Sequence, residues 1–169
     1  PGSKARARAI VDPDAREKAV SDPYDLARFI DAQAPVIAAA RAELEAGRKQ
    51  THWMWFVFPQ VAGLGASATA QRYAIGSNAE ALAYLDHPVL GSRLRDLTEL
   101  ACEASGSASQ IFGAPDDLKF RSCLTLFNAV APSETTFRDA LARFFGGERD
   151  PLTLAILERP VETPPGPAR

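Results

Sequence analysis

Between about Asp22 and Glu158 apolar residues return every three or four positions, the spacing that gathers them on one face of a helix. The first run is Leu26, Phe29, Ile30, Ala34, Ile37, Ala40 and Leu44, with Asp22-Pro23 as its start and Gly47 before Arg48-Lys49 as its stop. Pro35 falls inside it and removes one backbone hydrogen bond, so a kink or two helices are expected. Ser77-Asn-Ala-Glu80 has capping-box spacing and opens a short helix through Leu85. Pro88 stands near the start of a longer one, with Leu90, Leu94, Leu97 and Ala101 on one face. Ser107 to Gln110 repeats the box before Ile111 and Phe112, and Gly113 ends that turn. Asp116 reads as the cap of a helix carrying Phe120, Cys123, Leu124, Phe127 and Val130, closed by Pro132. Ser133 opens the next, with Phe137, Leu141, Phe144 and Phe145, stopped by Gly146-Gly147, and Asp150-Pro151 begins a last short helix. The class is all-α: a compact, bundle-like helical array of at least five helices, with no parallel sheet and its crossovers.

The ends break this pattern. Residues 1–22 are rich in charge and nearly free of large apolar side chains, and the opening Pro-Gly-Ser resembles a cloning remnant. Residues 159–169 read RPVETPPGPAR, whose prolines forbid a helix. The expected organisation is a polar tail over 1–22, one helical domain over 23–158 and a proline-rich tail over 159–169.

Composition narrows the function classes. The 169 residues are 46% hydrophobic with a net charge of −2, which supplies no basic footprint for nucleic acid. No apolar run approaches the roughly 20 residues of a membrane span. The charged start has no apolar stretch, and Cys102 and Cys123 form no CxxC pair, so a reducing, cytoplasmic setting is expected. Both cysteines fall on apolar helix faces and read as small buried hydrophobes. His52 and His87 are the two histidines; neither belongs to an HExxH or Cys-His spacing, so no metal and no cofactor are expected. The GxSxG elbow is absent, since Gly65-Ala-Ser67-Ala is followed by Thr69.

Thr51 to Gln60, THWMWFVFPQ, concentrates aromatic side chains beside two polar ones, His52 and Gln60. Read blandly, it is a core segment whose polar groups are satisfied internally. Read functionally, it is a pocket wall, with rings for a planar ligand and His52 and Gln60 for its polar edge. In a helix Trp53 and Trp55 lie about 200° apart, so one ring is expected in the core and the other at a pocket or in solvent. The following Gly63-Leu-Gly65-Ala-Ser-Ala68 fits a degenerate dinucleotide fingerprint, with Asp86 near the ribose-binding distance. A Rossmann unit needs a second strand ending near Asp86, where the sequence instead reads as a capped helix, and Pro59 interrupts the first.

HWMWFVFPQ, then GLGAS, YAI at Tyr73, EA.AYL.HPVLG.RL from Glu80 to Leu94, IFG at Ile111 and D.LKFRS..TLF from Asp116 to Phe127 together resemble one bacterial family, domain of unknown function 1810. The resemblance spans about Asp25 to Leu157; Pro35 departs from the family pattern. It implies a small, mostly helical single domain with no established biochemical role. Among the matching positions, His52, Gln60, Ser67, Tyr73, His87, Lys119, Ser122 and Thr125 are polar within apolar motifs. Lys119, Ser122 and Thr125 recur at intervals of three on one helix, a cation with two hydroxyls suited to an anion or phosphate.

These residues define the expected site. His52 and His87 are brought together as candidate acid and base. Trp53, Trp55, Gln60, Gly63, Gly65, Ser67, Tyr73, Lys119, Ser122 and Thr125 bind the ligand. The expected partner is a small anionic or nucleotide-like molecule of ADP-ribose type, taken up by a monomer or small homo-oligomer without nucleic acid or membrane. The alternative is a non-catalytic interaction domain that docks a protein through the tryptophan-rich segment.

Overall fold

A computed structural model of the protein describes residues 21–159. The polar residues 1–20 and the prolines from residue 160 onward, expected to be tails, lie outside the described residues. Ten helices follow in order among the described residues: α1 Ala27–Gln33, α2 Ile37–Glu45, α3 Met54–Val57, α4 Ala68–Arg72, α5 Asn78–Asp86, α6 Leu90–Glu103, α7 Ala108–Phe112, α8 Asp116–Val130, α9 Thr135–Phe145 and α10 Pro151–Leu157. Extended pairing among the described residues amounts to one isolated parallel bridge, Val61 with Ile75. The all-α class holds, and the dinucleotide fingerprint has no sheet to sit on.

Local chemistry explains most boundaries. Asp22 accepts from the amides of Leu26 and Ala27 at 2.8 and 2.9 Å, which starts α1. Pro35 splits the first run into two helices. Ser107 and Gln110 form a complete capping box, and Asp150 accepts from the Thr153 amide ahead of Pro151. Three starts differ from the sequence expectation. Ser77 accepts from the Glu80 amide, but the Glu80 carboxylate turns to the Gly76 amide at 2.6 Å, so that box is half made. Asp116 is the first residue of α8 rather than its cap, because its carboxylate is taken by two lysines. α9 is preceded by Glu134, not Ser133, and Glu134 faces Arg95 instead of its own helix amides.

α8 is the central element. It packs against α3, α5, α7, α9 and α10 and buries Phe120, Cys123, Leu124, Leu126 and Phe127. Phe58, reaching in from the end of α3, meets Phe120 edge-on at 5.0 Å and Phe112 at 5.9 Å. A polar network crosses this core: the Gln33 amide donates to the Phe56 carbonyl and the Tyr84 hydroxyl, and Arg93 donates to the Gln33 oxygen. Tyr84 is fully buried, and burial pushes its hydroxyl well above the usual phenol range, so it stays a neutral partner. Between α3 and α5 runs a long connection with the short α4 inside it. Hydrogen bonds from Ile75 to Gln60 and from Ala62 to Ile75, each 2.8 Å, fold that connection onto itself.

Candidate functional site

The folded connection, the first turns of α8 and the start of α10 enclose a cavity of about 610 Å³, within the size range of small-molecule sites. One wall is the chain from Gln60 to Ala74, carrying Gly63, Gly65, Ser67 and Tyr73. Lys119 and Ser122 on α8 and the ring of Trp55 belong to the same lining.

The loop wall is shaped by its glycines. Gly63 sits at φ +100°, a backbone region that side chains disfavour, and a Cβ on Gly65 would lie 2.6 Å from that of Ala70. A turn at Ala62–Gly63 points the Leu64 amide back along the chain, while the exposed amides of Gly63, Gly65, Ala66 and Ser67 donate to no backbone acceptor among the described residues. The Ser67 hydroxyl, by contrast, is used as the cap of α4, accepting from the Ala70 amide at 3.1 Å. The half-buried Gln60 side chain makes no hydrogen bond among the described residues. Tyr73 packs its ring on Phe56 at 5.2 Å and accepts from Arg72.

Behind this wall Arg28 acts as a clasp. Its guanidinium donates to the carbonyls of Arg72 and Ala74 at 2.9 Å each and to Glu80 at 2.7 Å, and its Nη1 reaches Tyr24 and Asp25. Glu80 completes the clasp through the Gly76 amide.

On the helical side Lys119 places its ammonium 3.5 Å from the centre of the Trp55 ring. Asp116 sits between two cations, 3.2 Å from Lys119 and 2.9 Å from the nearly buried Lys49. Arg121 lies in the lining too and donates to the carbonyls of Glu148 and Arg149. Ser122 lies 3.1 Å from the Leu118 carbonyl and 3.3 Å from Asp150, whose Oδ2 also takes the amide and hydroxyl of Thr153.

Four residues expected at the site lie outside the cavity. Trp53 is fully buried, and its indole N–H donates to Glu43 at 2.7 Å; Trp55 is half-buried and lines the cavity, so the two rings divide as expected, although Trp53 precedes α3 with non-helical backbone angles and helical spacing is not the cause. Thr125 is buried because its hydroxyl donates to the Arg121 carbonyl and accepts from the Asp150 amide, a structural splice between α8 and α10. His87 ends α5, and its Nδ1 accepts from the amides of Val89 and Leu90, so it caps the start of α6. His52 is exposed on the loop before α3. The lining of this cavity therefore holds no imidazole.

The cysteines match the structural reading. Cys123 is buried and Cys102 half-buried, and burial raises both thiols. No group of three or more His, Cys, Asp or Glu side chains able to hold a metal occurs among the described residues. No helix among them is long and apolar enough to cross a membrane.

Glu43 gives the aromatic segment a pH dependence. Burial alone would raise its carboxyl, but donors from the Thr51 hydroxyl, the Gln50 amide, the Trp53 indole and the Thr51 amide outweigh it and hold the carboxyl below its ordinary value of 4.5. A depressed folded-state value means stabilisation that is present above pH 4.5 and lost as pH falls through the depressed value. Thermal melts followed by tryptophan emission should therefore show acid destabilisation below that pH, with a shallower slope in Glu43→Gln. Equal slopes in the two proteins would remove Glu43 as the cause.

Sequence reasoning missed Asp150, Arg121, Leu118 and Leu152, all in the lining. Asp150 was visible only as a helix start. Leu118 and Leu152 are 58% and 66% exposed, which no apolar periodicity signals.

An all-α domain with one glycine-rich wall facing a ligand-sized cavity is thus the class of protein that fold and geometry define. The chain belongs to the DUF1810 family: the family model, described as a protein of unknown function, matches residues 23–157. It is also similar to a solved structure, the conserved hypothetical protein Rv1873 from Mycobacterium tuberculosis, with 51% identity and a TM-score of 0.79 over 80% of this chain and 98% of that one. Among curated proteins there is no match.

Proposed function

We propose that this chain is a small-molecule-binding domain whose cavity takes a polar, anion-bearing ligand, phosphate-bearing or nucleotide-like, of which an ADP-ribose-type molecule is one form. The observation that carries the reading is the set of four amides without backbone acceptors, those of Gly63, Gly65, Ala66 and Ser67, in the wall of a cavity that also holds Lys119 and Arg121. Neighbouring N–H groups and cations are the kind of donor set that an anion needs, here with Lys119 also bound to Asp116 and Arg121 also bound to the Glu148 and Arg149 carbonyls. The lining itself has one carboxylate, Asp150, while Asp116 lies 3.2 Å from Lys119 and Glu148 3.6 Å from Arg121 outside it, so an anionic guest would share these cations with their carboxylates. Trp55 and Tyr73 add aromatic surface for a planar group. The alternative, docking of a partner protein through the tryptophan-rich segment, has less support. Trp53 is fully buried, and Trp55 is half-buried beneath the Lys119 ammonium, so no flat tryptophan patch is offered.

The test is calorimetric titration of the protein with pyrophosphate and with ADP-ribose, repeated on Lys119→Ala. Loss of a charge-assisted contact should weaken binding about tenfold or more. Asp116 keeps Lys49 as its partner, so the melting temperature should fall by less than about 4 °C. A variant that chiefly unfolds while binding as before would make Lys119 structural. A wild-type protein that binds neither probe would end the anion reading.

A further inference from the structure

Asp150 is the one carboxylate in a cavity otherwise equipped to hold an anion, and its two oxygens are not equivalent. Oδ2 is saturated by the Thr153 amide, the Thr153 hydroxyl and Ser122, which is the capping work of α10. Oδ1 accepts from no donor among the described residues. Asparagine and serine also cap helices well, and neither would place a negative charge beside an anion's site. Deepening the anion reading and resting on it, we infer that Asp150 is the specificity-determining acceptor of this cavity. Its free oxygen takes a hydroxyl donor of the ligand, so the class accommodated is a sugar phosphate or nucleoside phosphate rather than a bare inorganic anion.

Charge selects the donor. An ammonium group would meet Lys119 and Arg121 in the same lining, whereas a neutral hydroxyl meets no repulsion and still gains a charge-assisted bond to the carboxylate. The apolar side of the lining fits the same class. Leu118 and Leu152, both exposed, and Pro115 border the cavity and offer surface to the carbon face of a sugar or base.

The experiment titrates ribose 5-phosphate and inorganic phosphate separately into the wild-type protein and into Asp150→Asn. Asparagine retains an oxygen for the Thr153 amide but presents an amide donor where Oδ1 stood. The wild type should prefer ribose 5-phosphate by about tenfold to a hundredfold, the range of a hydrogen bond to a charged group. Asp150→Asn should lose that preference while binding inorganic phosphate as well or better, since a negative charge is gone. Asp150→Ser, which also caps well, should do the same and replaces the first variant if that one fails to fold. If both anions bind the wild type equally, or if the variants keep the preference, the Asp150 inference is overturned and the anion reading stands. If both probes lose affinity in parallel in the variants, Asp150 acts only through the fold and the inference is likewise overturned. If neither probe binds the wild type, the anion reading fails with it.

Discussion

Replacing Gly91 by alanine should lower stability on the order of 3 kcal/mol, despite putting a better helix former into α6. The two effects have opposite signs and their sizes decide the outcome. Gly91 is the second residue of α6, so alanine there gains at most the about 1 kcal/mol that it gains over glycine in a helix interior. Against that, a Cβ on Gly91 would lie 2.0 Å from the Leu85 carbonyl oxygen and 2.9 Å from Arg95 Nη1. The oxygen is backbone and cannot rotate aside, and it already accepts from Arg95 in the joint between α5 and α6. Relief therefore requires α6 to move away from α5, opening the interface that buries Leu85, Leu90 and Leu94. For a domain of this size such a loss corresponds to a fall in melting temperature of roughly 6–12 °C. Ser92→Ala, one position along on the exposed face, is the control and should melt within about 2 °C of wild type. A Gly91→Ala protein that melts at or above the wild-type temperature would show that the helices have slack here.

What the sequence discloses about this fold follows the range of the interactions involved. Ser107 with Gln110, Asp22 with Leu26 and Asp150 with Thr153 are contacts across a few positions, so residue order alone reveals them. Glu80 and Asp116 look like the same kind of signal and are not. Each carboxylate is claimed by a cation from a distant helix or loop, Arg28 for Glu80 and Lys49 for Asp116, and periodicity carries no trace of such a partner. The candidate site divides in the same way. Gln60, Gly63, Gly65 and Ser67 occupy one continuous loop, and a glycine-rich loop after an aromatic run is legible as a wall. Lys119 and Ser122 are legible from their face of α8. The histidines mislead because their chemistry is versatile: His87 spends its Nδ1 on the amides two and three positions ahead, a local capping role that its place before α6 already hints at. Asp150 is the reverse case, a cap correctly read whose second oxygen faces no partner and whose place in the cavity depends on α10 packing against α8.

Arg28→Ala should be nearly as damaging as the glycine substitution, and it should reach the cavity as well as the fold. The Arg28 side chain is 12% exposed and that of Glu80 8%, so removing one partner leaves a largely buried charge without its counterion. Fully buried pairs broken in this way lose about 3–5 kcal/mol, and the residual exposure here places the loss near the lower end, about 3 kcal/mol. Glu80 would retain the Gly76 amide, which argues against a larger figure. Adding Glu80→Gln to Arg28→Ala should recover part of the stability, because the stranded charge is then gone; chemical denaturation of the four proteins of this double-mutant cycle measures the coupling. The same guanidinium holds the carbonyls of Arg72 and Ala74, and Ala74 is part of the cavity wall. Its loss should therefore loosen the loop and weaken pyrophosphate binding even where the protein remains folded. Arg28→Lys separates the two effects, since an ammonium can answer Glu80 but cannot reach both carbonyls with a planar fork. It should restore much of the stability and little of the affinity. If Arg28→Lys restores both alike, the wall is held by the hydrogen bonds joining Gln60 and Ala62 to Ile75, and the clasp serves the fold alone.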